Sequence, residues 1–566
     1  MARLTQVRLQ NYRSAQDARI RFPVGIPVVL LGENNAGKSN LCRGIELVLG
    51  PIWPGNHEPD DNEFFGRERS VTIRLDAAFD PEDKLGGRWV QVKWQYEEGS
   101  NEPRFLGYDR EWLRYISNED RSQCICVALH AERELDYHLS YRSKWTFLSR
   151  LMHRFHKSLL ENAAVQRKLL DLFASVTAEF HNIPEFKAFV DTLQSQVFEL
   201  AGSMTHRLEV DFQAYNPINF FHALRLVAKE GEIARALEEL GTGEQQILAM
   251  AFAYAFAQAF HGGVVLIVEE PEAHLHPLAQ QWLGGKLRRM AAGGLQILLT
   301  THSPAFVDLL GLEGIVLVRK DAEGATTTTQ LDRMELVGKL EAMRLRAGLC
   351  TPENVLPFYA KDAGREVLEG FFAKVVVLVE GPTEAAALPV LLSRVGLETA
   401  KEGIAVIPVH GKGNLAKWYR LFSVYDIPCF IVFDNDTSQE DSDGVRREEA
   451  LRALGVEDGE APNLLGTREW VVRDNFTVFG GDYEQVFRRY FSDYAGLEEQ
   501  ARAEGVEAKQ FIARFSAERL TLSEEAPGTT ILKDLAERLR RLLPASAVAP
   551  EIELEATPAA ENNPFD

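Results

Sequence analysis

Unbroken apolar runs that end on acidic residues recur along this chain of 566 residues. The run 375–379 is followed at once by Glu380, then by a Gly-Pro turn and Glu384. Such a run predicts a strand buried on both faces, as in a parallel sheet, and Pro382 suits the first position of a following helix. We therefore expect Glu380 at the end of the strand and Glu384 in the first helical turn, at the edge where open α/β sheets bind ligands.

A second run, 429–433, ends on Asp434-Asn435-Asp436. Residues two apart in extended chain point to the same side, so both carboxylates would lie together. Carboxylates gathered this closely repel each other and would protonate unless a cation holds them. The cation suggested is a hard one with oxygen ligands, Mg²⁺ or Mn²⁺. The alternative is a solvated acidic loop at a sheet edge.

A third acidic pair, Asp482 and Glu484, follows a possible short strand at 470–472 and could complete a second metal position. Further on, Lys509 begins a helical segment and could neutralise charge on a phosphate undergoing attack. Lys533 is the rival for this role, and either could instead be an ordinary surface lysine.

The N-terminal part predicts a nucleotide-binding loop. An alternating strand (4–11) and an apolar strand (26–31) precede Gly-Glu-Asn-Asn-Ala-Gly-Lys-Ser at 32–39, and a helical pattern follows at 41–49. Glycines let backbone N–H groups wrap a phosphate, while Lys38 would reach the β- and γ-phosphates and Ser39 would bind Mg²⁺. The residues of the loop that we expect to bind nucleotide are Gly32, Asn35, Gly37, Lys38 and Ser39.

Two later strands supply the expected partners of this loop. The apolar run 263–268 ends on Glu269 and Glu270, and the run 295–299 ends on Thr-Thr-His302. Glu269 would hold Mg²⁺ through water, and Glu270 would orient or deprotonate the attacking water. His302 could contact the γ-phosphate.

These pieces, with the glycine-rich segment around Gly243, resemble the ABC-type ATPases of the SMC and RecF kind. The resemblance implies that two heads sandwich ATP and that Gly243 of one head caps the nucleotide of the other. The chain departs from the motifs of these ATPases at two positions: Glu269 replaces the usual Asp, and Gly241 replaces the common Ser. Both departures suggest that ATP hydrolysis is slow. His274 and His276 could bind a metal ion, but their segment resembles the loop that contacts the second subunit in this family. We favour the dimer-contact interpretation.

The net charge, the cysteines and the lack of a long apolar segment limit which partners and compartments we expect for this chain. The net charge of −21 argues against binding nucleic acid by overall attraction, so any DNA contact must be local or metal-mediated. The five cysteines are interpreted as reduced core residues of a cytoplasmic protein, and Cys124-x-Cys126 as part of a buried strand. No signal peptide or apolar span of about 20 residues appears, so we expect no membrane association.

A strand ending in Glu-Gly followed by a strand ending in Asp-x-Asp resembles the Toprim domain, which breaks or joins phosphodiester bonds. An ABC-type ATPase followed by Toprim in one chain resembles the OLD (overcoming lysogenization defect) family of nucleases. The resemblance implies a homodimeric, ATP-binding DNA nuclease that depends on Mg²⁺ or Mn²⁺ and acts in phage defence. It makes Lys509 the catalytic lysine, and the implied metal-binding acids are Glu380, Glu384, Asp434, Asp436, Asp482 and Glu484.

The expected fold is therefore α/β: a P-loop ATPase interrupted by a helical insertion, then a Rossmann-like Toprim domain. The insertion would serve dimerisation; its interleaved bases and aromatics could also follow a nucleic-acid backbone, although a solvated helix face is favoured. The tail has no Lys or Arg and predicts disorder. The expected boundaries are 1–140 and 206–370 for the ATPase halves, 141–205 for the insertion, 371–543 for Toprim and 544–566 for the tail.

Two other functions compete with a nuclease. One is a RecF-like ATP switch that binds DNA or acts in repair without cleaving it, with the acids as a binding platform. The other is a transporter ATPase subunit, which would leave the C-terminal part without a purpose. ATP-dependent DNA binding with an intact product would identify the first of these alternatives.

Overall fold

The structure is a computed structural model. It describes residues 2–50, 52–100, 102–130, 263–273, 275–435, 444–457 and 459–544, with short stretches and single positions between 162 and 255. Gly243, His274, Asp436, most of the predicted insertion and the tail from 545 lie outside the described residues.

Strands and helices are numbered here along the described chain. The strands are β1 Leu4–Tyr12, β2 Ala15–Arg21, β3 Val28–Leu31, β4 Ile73–Phe79, β5 Gln91–Tyr96, β6 Arg104–Tyr108, β7 Leu113–Tyr115, β8 Cys124–Leu129, β9 Val227–Glu230, β10 Ile233–Ala236, β11 Gly263–Glu269, β12 Gln296–Thr300, β13 Ile315–Lys320, β14 Thr326–Thr329, β15 Val375–Val379, β16 Ile404–Pro408, β17 Cys429–Asp434, β18 Val471–Val472 and β19 Phe476–Phe479. The helices are α1 Lys38–Leu49, α2 Asn118–Arg121, α3 Pro277–Ala292, α4 Arg333–Ala342, α5 Val355–Ala360, α6 Arg365–Glu369, α7 Pro382–Arg394, α8 Thr399–Glu402, α9 Lys412–Val424, α10 Val445–Ala453, α11 Ala461–Gly466, α12 Tyr483–Tyr490, α13 Tyr494–Ala503, α14 Lys509–Arg519 and α15 Pro527–Leu542.

The N-terminal unit contains two six-stranded sheets. An antiparallel sheet has the order β2-β1-β4-β5-β6-β7, and β4 and β5 alternate buried positions with more accessible ones because one face covers the core. The second sheet has the order β14-β13-β3-β12-β11-β8 and is parallel apart from β14. The strands β3, β8 and β11 are buried along their whole length, as expected for a parallel sheet covered on both faces. The predicted buried strand at Cys124 is confirmed.

The C-terminal unit is built on one five-stranded sheet with the order β16-β15-β17-β19-β18. It is parallel except for the short antiparallel β18, which confirms the predicted strand near Trp470. Val379 pairs with Val432, and Asp434 pairs with Phe479. The carboxyl ends of β15, β17 and β19 therefore meet at one edge.

The segment between the units contains a proline, Pro357, which alone would predict a break in regular structure but lies in the first turn of α5. A proline is accommodated there because the first N–H groups of a helix have no intrahelical partner. The buried Tyr359 of α5 belongs to a continuous apolar cluster that also contains Leu299 of β12 and Ile431 of β17. The parallel sheets of the two units thus share one core.

All five cysteines are buried, and none forms a disulfide bond. Among the described residues, no helix is long and apolar enough to cross a bilayer.

Candidate functional site

The loop between β3 and α1 requires glycine at both ends. Gly37 has φ 106° and Gly32 has φ 150°, and a Cβ at either position would lie 2.1 Å from another atom, Thr326 Oγ1 and Val318 O respectively. A larger residue would collide with those atoms in addition to straining the backbone. The loop is consequently seated directly on β13 and β14.

Lys38 turns back onto this loop. Its ammonium donates hydrogen bonds of 2.8 Å to the carbonyl oxygens of Gly32 and Glu33, and the residue is only 7% exposed. Burial lowers the pKa of Lys38 to about 8, although Glu270 and Glu272 oppose this. Of the other predicted nucleotide ligands, Asn35 and Ser39 are exposed. The loop therefore presents side chains to solvent while it keeps its lysine close.

Glu269 ends β11 and is buried beside a histidine that the sequence analysis missed. His130 follows β8, the strand next to β11; its Nδ1 lies 3.5 Å from Glu269 and its Nε2 lies 3.0 Å from Glu46 of α1. The hydrogen bonds to Glu269 and Glu46 raise the pKa of His130 to about 9. The available sequence signal was a polar residue directly after the buried run 124–129. His130 thus ties the helix of the phosphate loop to the acid of the neighbouring strand.

The two other predicted catalytic groups of this unit lie near Lys38. The backbone N–H of His302 donates to Glu272 Oε1 at 2.5 Å, so the segments after β11 and β12 are bonded together. Burial, with the charge of Lys38, lowers the pKa of His302, while Glu270 opposes the shift. Glu270 has a φ of 48°, and its N–H donates to Thr300 O at 2.9 Å. The structure therefore brings these groups to one edge of the sheet.

His276 has a local structural role. It is the N-cap residue of α3 and its side chain accepts a hydrogen bond from the N–H of Leu278 at 3.4 Å. The Nδ1 atom of His276 therefore serves to cap α3.

Glu380 and Glu384 occupy the positions predicted for them, directly after β15 and in the first turn of α7. Glu384 is 4% exposed and its carboxylate accepts from the N–H of Gly381 at 3.1 Å. Burial raises the pKa of Glu384 to about 7, and the charge of Glu484 adds to this effect. The two acidic regions therefore act on each other through space.

Asp434 ends β17 and is 9% exposed. The side chain of its neighbour Asn435 is engaged by the protein: Nδ2 donates to the carbonyl oxygens of Leu464, Leu465 and Thr467 at 2.7–3.0 Å. Oδ1 of Asn435 accepts from Arg447 at 2.6 Å. The Asp-x-Asp segment is thus anchored through its middle residue.

The third acidic pair is divided between two roles. Asp482 is the N-cap of α12 and accepts hydrogen bonds from the backbone and side chain of Gln485 at 2.7 and 3.0 Å. Glu484 lies in the first turn of α12, and Lys509 Nζ is 4.0 Å from its carboxylate. Lys533 instead pairs with Glu524 at 3.7 Å. Of the two candidate lysines, Lys509 is the one that contacts an acid of this edge.

A second lysine at this edge was missed by the sequence analysis. Lys412, at the start of α9, is 3% exposed, and its Nζ lies 3.8 Å from Glu380 Oε2. The N–H of Gly411 also donates to the carbonyl oxygen of Glu380 at 3.0 Å. The signal in the sequence was Gly411-Lys412-Gly413 soon after the strand at 404–408. Lys412 therefore offsets part of the negative charge at the edge.

The chemistry of the donor set fits a hard divalent cation. Carboxylates at the ends of β15 and β17 and in the first turn of α7 share one edge, and burial, with a smaller contribution from the charge of Glu484, raises the pKa of Glu384 there. Such charge is offset by cations that prefer oxygen ligands. Among the described residues, which exclude Asp436, no group of three or more His, Cys, Asp or Glu side chains is already arranged as a metal site.

The phosphate loop and this acidic edge are joined by a short path. Glu33 of the loop lies 3.6 Å from Lys374 Nζ, and Lys374 directly precedes β15. Arg319 of β13, next to the residue on which Gly32 is seated, donates to Ala373 O at 2.7 Å. Both residues that lead into the strand of Glu380 are therefore held by the N-terminal unit, through Glu33 and Arg319.

Parts of this chain match two protein families and two relatives. Residues 371–436 match the family described as overcoming lysogenization defect protein-like, TOPRIM domain, and residues 28–308 match the family described as AAA domain, putative AbiEii toxin, Type IV TA system. The chain is 29% identical to the OLD nuclease of Thermus scotoductus over 455 residues, 76% of this chain and 82% of that protein. It is 23% identical to the Old nuclease of Escherichia phage P2 over 213 residues, 36% of this chain and 34% of that protein.

Solved structures similar to the chain include SMC head domains. The Smc head domain of Pyrococcus furiosus, bound to the C-terminal domain of ScpA, aligns with a TM-score of 0.37 and 15% identity, covering 61% of this chain and 100% of that one. The SMC head domain of Thermotoga maritima aligns with a TM-score of 0.29 and 13% identity, covering 58% of this chain and 99% of that one.

Proposed function

This chain joins an AAA-type ATPase domain to an OLD-like TOPRIM domain, and from that premise we propose that it is an ATP-binding, metal-dependent DNA endonuclease. The observation that carries the proposal is the edge of the C-terminal sheet. There Glu380 follows β15 and Asp434 ends the adjacent parallel strand β17, and the charge of Glu484 acts on the buried Glu384. Acids placed in this way suit the binding of divalent cations and a phosphodiester.

The residues that would hold Mg²⁺ or Mn²⁺ are Glu380, Glu384, Asp434 and Glu484, with Asp436 and Asp482 as further candidates. A bound divalent cation would supply charge stabilisation to the phosphate and lower the pKa of water. Lys509 would balance the added negative charge of the attacked phosphate from the Glu484 side. Lys412 contacts Glu380 from the buried side, where its ammonium would compete with the cation for the charge of the carboxylate.

In the ATPase domain, the proposed ligands keep the roles expected from their motifs. Lys38 would leave the carbonyl oxygens of Gly32 and Glu33 for the nucleotide phosphates, and Ser39 would bind Mg²⁺. Glu269 would hold Mg²⁺ through water, Glu270 would orient the attacking water, and His302 would contact the γ-phosphate. Gly243 would cap the nucleotide of a second head, so the active ATPase would be a homodimer.

We expect ATP to regulate cleavage rather than to drive it. Hydrolysis of a phosphodiester is downhill and needs no ATP. Glu33 of the loop contacts Lys374, which directly precedes the strand of Glu380, so a change in the loop could move that strand. A Lys38→Ala variant should lose ATPase activity while it retains metal-dependent nicking; loss of both would mean that ATP drives the reaction.

The principal test is cleavage of supercoiled plasmid with Mg²⁺ or Mn²⁺. The wild-type protein should nick the plasmid, and Glu380→Ala and Asp434→Ala should each reduce nicking by at least about a hundredfold, because each removes a carboxylate ligand. Glu499→Ala, which removes an exposed acid of α13, serves as the control. Persistent nicking by both variants, with unchanged thermal midpoints, would contradict the site assignment.

One observation favours the second candidate, a RecF-like switch that binds DNA without cleaving it. Lys412 offsets the charge of Glu380 from inside the protein, as a binding platform without metal would require. This candidate predicts that the protein binds DNA only with ATP and that the plasmid stays intact with either Mg²⁺ or Mn²⁺.

For the cellular role we propose phage defence or DNA processing. The test compares the plating of phage on cells that express the wild type with plating on cells that express Asp434→Ala.

A further inference from the structure

A small pocket lies beside Glu484, between α12, α13 and α14. Its volume is about 120 Å³, and its lining includes Arg488, Tyr494, Glu498, Arg502 and Lys509. This volume is well below the roughly 300–1,000 Å³ of a typical small-molecule site. The pocket thus suits a single compact group rather than a nucleoside or a larger ligand.

Part of the charge around the pocket is already neutralised. Arg488 makes two hydrogen bonds to Glu498, of 2.6 and 2.9 Å, and Glu498 is 3% exposed. Asp482, which also lines the pocket, is used as the N-cap of α12. These groups form the wall, and they leave other donors to act on a ligand.

Two cationic donors remain. Arg502, in the last turn of α13, makes no ion pair with any residue that the structure describes. Lys509 has a side chain that is 80% exposed, and its ammonium lies 4.0 Å from Glu484. Tyr494, which is fully buried, forms part of the wall. A guanidinium and an ammonium that line one small cavity match a phosphate oxyanion.

We propose that this pocket binds a backbone phosphate of the nucleic-acid strand, next to the phosphate attacked at the acids, with Arg502 as its main ligand. The proposal rests on the proposed function, since it extends the same site along the strand. A chain with a net charge of −21 does not attract DNA as a whole, so its contacts with DNA must be local. The pocket would supply one such contact. Arg502 positions the strand and takes no part in the reaction itself.

The test is the salt dependence of DNA binding, measured without divalent metal so that no cleavage occurs. Replacing Arg502 with Ala should weaken binding of a duplex oligonucleotide roughly fivefold at 0.1 M salt, and should reduce the slope of log K against log salt by about one. Arg514→Ala is the matched control, because Arg514 lies on α14 outside the pocket lining and pairs with Glu518 at 3.2 Å. It should leave the slope unchanged.

An unchanged slope for Arg502→Ala would overturn the proposal, and equal losses for Arg502→Ala and Arg514→Ala would do the same. Inorganic phosphate provides a second arm: if it stabilises the wild type but not Arg502→Ala while the DNA slope stays the same, the pocket binds a free phosphate and not DNA. Failure of the proposed nuclease remains distinguishable. If the wild type never nicks plasmid but the salt dependence of its DNA binding changes on replacement of Arg502, the proposed phosphate pocket stands and the proposed nuclease activity fails.

Discussion

The ammonium of Lys412 lies 3.8 Å from the carboxylate of Glu380, and the lysine is only 3% exposed. A buried cation at this position competes with a divalent cation for the same negative charge, because unlike charges attract more strongly where water is excluded. Lys412→Met should therefore bind Mn²⁺ roughly tenfold more tightly than the wild type, as measured by calorimetric titration of the metal-free protein.

The matched control for this variant is Lys417→Met on the same helix. Lys417 is equally buried, at 7% exposed, but pairs with Asp362 at 2.5 Å instead of with an acid of the sheet edge. It should change stability without changing Mn²⁺ affinity. Weaker Mn²⁺ binding by Lys412→Met would show that the lysine supports the metal site rather than competing with it.

A second prediction concerns communication between the two domains. Lys374→Ala removes the contact with Glu33 but leaves the acids in place, so metal-dependent nicking without ATP should be unchanged. An exposed ion pair contributes up to about 1 kcal/mol, which corresponds to roughly a fivefold effect. The ratio of nicking rates with and without ATP should therefore move towards one by up to about that factor. Lys401→Ala, an exposed lysine of α8, should keep the wild-type ratio; an unaltered ratio in Lys374→Ala would exclude this route.

A third prediction follows from Glu63, which is 6% exposed. Burial raises the pKa of Glu63, but hydrogen bonds and charge from His57, with hydrogen bonds from Arg13 and Tyr12, outweigh it and lower the pKa to about 2. Since the folded-state pKa is lower than the ordinary 4.5, the carboxylate stabilises the fold above pH 4.5 and loses this effect as the pH falls towards 2.

Glu63→Gln should accordingly lower the free energy of unfolding at neutral pH by up to about 3 kcal/mol. The difference from the wild type should shrink as the pH falls from 4.5 towards 2. Thermal midpoints measured across this range would show the convergence. The exposed Glu97→Gln provides the comparison, and a gap between Glu63→Gln and wild type that is constant with pH would refute the argument.

A fourth prediction concerns Asn435, which the sequence placed between two acids and gave no role. Its amide makes hydrogen bonds to three carbonyl oxygens and to Arg447. Asn435→Ala should destabilise the C-terminal unit by about 3 kcal/mol, because buried hydrogen-bonding groups would lose their partners. Differential scanning calorimetry should show a lower midpoint, whereas the exposed Asn463→Ala should match the wild type. An unchanged midpoint in Asn435→Ala would show that solvent replaces these hydrogen bonds.

The sequence by itself determined where the main strands lie and which of them end on acids. The apolar runs around Val377 and Ile431 are buried parallel strands, as predicted, because a run with no polar interruption can be satisfied only between two covered faces. The loop before Lys38 was also determined locally, since its glycines are required by backbone angles and by close approach. Pro357 shows the limit of local reasoning, because the effect of a proline depends on its place within a helix.

Only the tertiary structure decided which distant groups meet. His130 beside Glu269, Lys412 beside Glu380, and Glu33 beside Lys374 are separated in sequence by 139, 32 and 341 residues. Periodicity records how a segment buries its own faces, whereas these pairs depend on which strands become neighbours and how the two sheets share a core. The acids and Lys509 could therefore be found by reading along the chain, whereas Lys412 and His130 could not.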